Sequence, residues 1–109
     1  MPYPVVFTPE AEEQLAALYR YIAVATSSAA IARRYTSSLV TYCEGLRIFP
    51  HRGTHRDDIR PGLRITNYKR RAVIAFDVDA ERVSIIGVFY GGQDYETILQ
   101  TDPDDEVVE

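Results

Sequence analysis

Between residues 51 and 71 the chain places seven cations, Arg52, Arg56, Arg60, Arg64, Lys69, Arg70 and Arg71, against two carboxylates, Asp57 and Asp58, a local charge of +5. Arginine outnumbers lysine eleven to one over the whole chain. A guanidinium is a planar fork of donors that matches phosphate or carboxylate oxygens two at a time. The segment is therefore suited to an anion-rich partner, either a nucleic-acid backbone or a carboxylate-bearing protein segment. Tyr68 and Tyr90, at the ends of strand-like runs, add two phenols nearby. The plainer reading is a solvated loop with scattered salt bridges to the helices or tail. Against that reading, Arg64 falls within a strand pattern on the face shared with Thr66 and Tyr68, and Lys69-Arg70-Arg71 forms the adjoining turn, so these cations are expected to converge in space.

Other chemistry is sparse. The sequence has no phosphate-cradling glycine loop ahead of a helix, no paired cysteines and no serine-nucleophile elbow. His51 and His55 stand four apart beside Asp57 and Asp58, which resembles a metal-ligand set. Gly53 lies between them after the helix-ending Pro50, which removes helical i, i+4 geometry, so neither a metal nor a cofactor is expected. Cys43 sits on an apolar helical stripe and reads as a buried, unactivated thiol.

The elements that position these residues can be read from apolar spacing. Tyr3 to Thr8 is a short β-branched run that stops at Thr8-Pro9-Glu10, a cap followed by a proline suited to the first helical turn. Ala11, Leu15, Leu18, Tyr19 and Ile22 then recur at helical spacing. After Thr26-Ser27-Ser28, a second stripe of Ile31, Tyr35, Leu39, Tyr42, Leu46 and Phe49 predicts another helix ended by Pro50 and Gly53. So short a link predicts an antiparallel helical hairpin. Residues 51 to 62 read as a polar surface loop. Strands are expected next at Leu63 to Tyr68, Val73 to Phe76 and Val83 to Tyr90, with Asp79-Ala80-Glu81 as a turn. The two later runs are nearly continuous in apolar residues, which implies burial on both faces of the sheet. The helices cover one face, and the other needs the short C-terminal helix predicted within residues 93–100, or another protein.

The expected fold class is therefore α+β: an N-terminal strand, an antiparallel helical hairpin packed on a mainly antiparallel sheet of about four strands, and a short C-terminal helix. A chain of 109 residues suits one domain, placed at residues 1–100, with residues 101–109 as an acidic tail. The net charge of −4 hides this layout, because residues 94–109 hold seven acids and no base, outweighing the basic segment. One cysteine, no bilayer-length apolar run and no signal-peptide pattern lead to the expectation of a cytoplasmic protein without membrane contact.

The order of these elements, together with Phe49-Pro50-His51-Arg52-Gly53, Pro61-Gly62-Leu63-Arg64 and Val88-Phe89-Tyr90-Gly91-Gly92-Gln93-Asp94, resembles the RelE/ParE toxin superfamily, and its ParE-like branch in particular. The resemblance implies the toxin of a type II toxin–antitoxin pair, neutralised by a ParD-like antitoxin that wraps it and carries a DNA-binding N-terminal domain. Operator DNA would then be met only through the antitoxin. It implies inhibition of DNA gyrase by binding, with Arg60, Arg64, Tyr68, Lys69, Arg70, Arg71 and Tyr90 facing the target. The antitoxin would cover Leu15, Leu18, Ile22, Tyr35, Leu39, Ile74, Phe76 and Val88.

The RelE-like branch implies a different activity, ribosome-dependent cutting of messenger RNA, for which Arg64, Arg71 and Tyr90 would be the catalytic set. Many ParE-like relatives carry His-Gly followed two residues later by Arg-Asp; here those positions read Tyr90-Gly91 and Gln93-Asp94. The histidine and the arginine are thus both replaced, which weakens nuclease chemistry and leaves a binding surface. A degenerate antitoxin-binding module without toxicity is the remaining alternative.

Overall fold

The computed structural model describes residues 3–100, and the acidic tail foreseen at 101–109 lies outside them. The chain opens with β1 (Val5–Phe7), which passes directly into α1 (Pro9–Thr26). The Thr8 hydroxyl accepts the Ala11 N–H at 3.1 Å, and Pro9 occupies the first helical turn. Ser27, in left-handed backbone (φ 55°), ends α1. Ser28 then starts α2 (Ala29–Glu44) by accepting the Ile31 N–H at 3.1 Å. Helix, cap and helical hairpin thus form where the residue types place them.

The second helix departs from the expected stripe at both ends. Its buried line is Ala32, Leu39 and Cys43, while Ile31 and Phe49 are exposed. Gly45–Arg47 tightens into a 3₁₀ turn, which advances three residues per turn instead of 3.6 and rotates the chain beyond it. Leu46 therefore stays buried and Phe49 swings out.

Five strands form one sheet in the order β1-β5-β4-β3-β2, one more than the sequence predicts. The addition is β2 (Thr54–His55), inside the segment read as loop. It pairs antiparallel with β3 (Arg64–Tyr68), Thr54 opposite Ile65 and His55 opposite Arg64. Gly53 makes this possible. Its φ is 88°, and a β-carbon there would stand 2.5 Å from the Ile65 carbonyl oxygen, so only glycine lets the chain close on β3. β4 (Ala72–Val78) and β5 (Val83–Tyr90) complete the antiparallel part. The Asp79 carboxylate accepts the Glu81 and Arg82 N–H groups in the turn between them. β1 pairs parallel with β5, but only along Val83–Ile85.

The sheet is buried on both faces, as its apolar runs require. One face carries Tyr68, Ala72, Ile74, Phe76, Ile85 and Val88 against the helices. Leu63, Ile65, Ala75 and Phe89 form the other face and pack against Leu99 of α3 (Tyr95–Gln100). The C-terminal helix is thus the cover that the second face needs.

Candidate partner-binding surface at the end of the sheet

The seven cations of the basic segment do not meet. Arg56 pairs with Asp58 (2.9 Å) and Glu96 (2.7 Å), tying its loop to α3. These bonds hold the Asp58 carboxyl below its usual range and raise the guanidinium further. Arg60 donates to the Leu99 carbonyl at the end of α3. Arg64 turns its guanidinium onto the carbonyls of His51 (2.7 Å) and Arg52 (3.3 Å) and onto the His55 ring (2.9 Å). It therefore staples the 51–55 loop to β3. Arg52 stacks on the rings of Tyr42 and Phe49, at 5.5 and 5.6 Å.

Lys69, Arg70 and Arg71 lie at the other end of β3. Here Lys69 (φ 52°) and Arg70 (φ 64°) take the left-handed backbone of a two-residue turn, closed by the Arg71 N–H to the Tyr68 carbonyl at 3.2 Å. Arg71 bulges out before pairing resumes at Tyr68 opposite Ala72, and its carbonyl accepts the Gly91 N–H. All three residues are exposed, and none has a carboxylate within salt-bridge distance among the described residues.

Beside this tip runs a row of tyrosines. Ring centroids step from Tyr21 to Tyr90 (5.9 Å), Tyr90 to Tyr35 (5.7 Å), Tyr35 to Tyr68 (5.7 Å) and Tyr68 to Tyr42 (5.2 Å). The first three contacts are edge-to-face, a geometry that favours aromatic pairs. Tyr68 is buried within this row, so it is a packing residue and not the open target contact that its strand-end position suggests. Burial, then the neighbouring Tyr90 and Tyr68, pushes the Tyr35 hydroxyl up to about 12, against the opposing pull of the Arg71 cation.

Tyr21 and Tyr90 also line a cleft of about 360 Å³ between α1 and the end of β5, together with Gln14, Leu18, Val88 and Gln93. Because β1 leaves the second half of β5 unpaired, two glutamines cap that edge. Gln14 Oε1 accepts the Val88 N–H at 2.7 Å, and Gln93 Oε1 accepts the Tyr90 N–H at 2.9 Å. Sequence reasoning missed Gln14 and Tyr21 as functional candidates. The signal was available, since Gln14, Leu18 and Tyr21 succeed each other by four and three along one side of α1.

The positions predicted to meet an antitoxin divide by burial. Leu39, Ile74 and Phe76 are completely enclosed by the chain's own core, and Leu18, Ile22 and Val88 nearly so. They build the fold and offer almost no surface of their own. Leu15 and Tyr35 remain half-buried. The large apolar side chains left exposed include Tyr21, Val24, Ile31, Ile48 and Phe49.

The structure is similar to that of the chromosomal ParDE toxin–antitoxin system from P. aeruginosa, with a TM-score of 0.70 at 20% identity, covering 81% of this chain and 95% of the other. It is also similar to a chain of the RelBE2 toxin–antitoxin complex from Mycobacterium tuberculosis, with a TM-score of 0.61 at 18% identity, covering 84% of this chain and 100% of that one. At such identities the likeness establishes a shared fold. No curated protein sequence matches the chain. The family model for the ParE toxin of the type II toxin–antitoxin system parDE does match, over residues 5–95, a span from β1 to the start of α3. The chain therefore belongs to the ParE toxin family of type II toxin–antitoxin systems.

Proposed function

We propose that this toxin stops growth by binding DNA gyrase and holding its cleaved-DNA intermediate, and that a cognate ParD-like antitoxin neutralises it. The observation that carries a binding mode of action over RNA cutting is the separation of Arg64 from Arg71 and Tyr90. A nuclease needs its cation, base and acid within reach of one phosphodiester. Tyr90 lies level with Tyr68 across β4, four positions along β3 from Arg64, a distance of about 14 Å at the rise of a strand. The Arg64 guanidinium is moreover engaged by two loop carbonyls and an imidazole. Arg71 and Tyr90 stand together at the sheet end without it.

Membership of the ParE family supports gyrase as the target. An antitoxin partner is supported by the exposed apolar residues of the helical hairpin and by the solved relatives, which come from toxin–antitoxin systems. Purified protein should inhibit gyrase supercoiling and leave a defined message intact in a translating lysate. Unchanged supercoiling together with discrete message cuts that vanish in Arg64→Ala would replace this reading with ribosome-dependent RNA cleavage. Normal growth on expression without a partner would leave only an antitoxin-binding module.

A further inference from the structure

The tip and the cleft share one surface, because the Arg71 carbonyl is bonded to Gly91 and both Gly91 and Tyr90 line the cleft. Two features of that surface offer more than the fold uses, although Lys69 also stacks on the Tyr68 ring at 5.4 Å and the two glutamines cap β5. Lys69 and Arg70 fill both left-handed positions of a hairpin turn that Asn-Gly would occupy without strain. The turn thus keeps two long cationic side chains where its backbone favours Asn and Gly, and retained strain of this kind points to function. In the cleft, the oxygens of Gln14 and Gln93 are taken by β5 N–H groups, which leaves the amide NH₂ groups as donors beside the exposed ring of Tyr21.

We infer that this surface holds a single DNA strand, its phosphates on Lys69, Arg70 and Arg71 and one unstacked base in the cleft against Tyr21. Three consecutive exposed cations, none with a carboxylate partner among the described residues, suit the repeating charge of a phosphate backbone. An exposed aromatic ring in a cleft that also carries amide donors suits a base, which has both a π-face and hydrogen-bonding edges. The volume of about 360 Å³ falls within the range of about 300–1,000 Å³ typical of small-ligand sites. A run of acidic side chains would use the cations but brings no aromatic group to the Tyr21 ring in the cleft. The inference rests on the gyrase reading, in which the target complex carries broken DNA.

The test uses the full chain and a fluorescent twelve-nucleotide oligo(dT), titrated by anisotropy over a salt series. Three phosphate contacts predict a log–log salt slope near −2, since each contributes about −0.7 on a single strand. Lys69→Asn with Arg70→Gly should lower affinity and reduce the slope by about 1.4, although this pair suits the turn and preserves the fold. Tyr21→Ala should weaken binding about tenfold with the slope unchanged, the effect of losing one stacked base. Absence of oligo(dT) binding, a slope unaltered in the turn variant, or tighter binding of oligo(U) or polyglutamate than of oligo(dT) would overturn the proposal. Gyrase assays on the same proteins separate the two readings. Full gyrase inhibition by the turn variant would remove the DNA contact and leave the target standing, whereas lack of inhibition by the unaltered chain would remove the target itself.

Discussion

Among the described residues the Tyr35 hydroxyl is buried with no hydrogen-bond partner, while the Tyr42 hydroxyl, seven residues along the same helix, shares a 3.0 Å bond with Thr66 Oγ1. The two phenols should respond oppositely to losing their oxygen. Tyr35→Phe removes an unsatisfied buried group and keeps the ring contacts, so it should stabilise the protein by about 1 kcal/mol. Tyr42→Phe strands the Thr66 hydroxyl and should destabilise by about 1–2 kcal/mol, both read from urea midpoints. Acid sensitivity belongs to this scale as well. Backbone N–H groups of Glu81 and Arg82 hold the Asp79 carboxyl below its ordinary 3.8, and Thr97 does the same for Asp94 through its side chain and backbone. A lowered folded value gives stability that is complete above the unfolded value and lost as pH falls through the folded one. Asp77 runs the other way. Burial, aided by Asp79, raises it, so its contribution declines as pH rises through the window just above 3.8. Asp79→Asn keeps the acceptor and removes the titration, so it should shrink the fall in Tm between about pH 5 and about pH 3.

Among the elements, the two tight places in the backbone make opposite predictions. Gly53→Ala forces a β-carbon onto the Ile65 carbonyl in left-handed backbone and should destabilise by about 2 kcal/mol or more, releasing β2 from the sheet. The β3–β4 turn is strained already, so Lys69→Asn with Arg70→Gly should stabilise by about 1–2 kcal/mol, a rise in Tm of several degrees. Stability gained there at the expense of target binding is the pattern expected of a turn shaped by function. These places also mark the limit of what the residues reveal beforehand. Caps at Thr8 and Ser28, and apolar runs at 73–76 and 83–90, act locally and could be read directly. β2 could not, because two residues carry no period and its pairing depends on Gly53 fitting against a strand twelve residues away. For the same reason the basic segment read as one convergent patch. Sequence spacing places Arg64 close to Arg71, but a strand in between carries them to opposite ends.

For the whole molecule, the uneven charge and the apolar surface describe a protein that functions in contact with others. Lys69, Arg70 and Arg71, which have no carboxylate partner among the described residues, lie together at the end of the sheet, while Arg56 and Arg60 are tied to α3. A cognate antitoxin that binds the folded toxin should raise its stability by about 2.7 kcal/mol at one hundred times the dissociation constant, measurable as a shift of the melting transition. The most direct measurement incubates purified toxin with gyrase and a closed circular plasmid, then adds detergent and protease to reveal trapped breaks. Linear plasmid should accumulate with toxin dose and disappear when antitoxin is added first. A plasmid that stays uncut and is supercoiled at the normal rate at every dose would contradict the assignment of gyrase as the target.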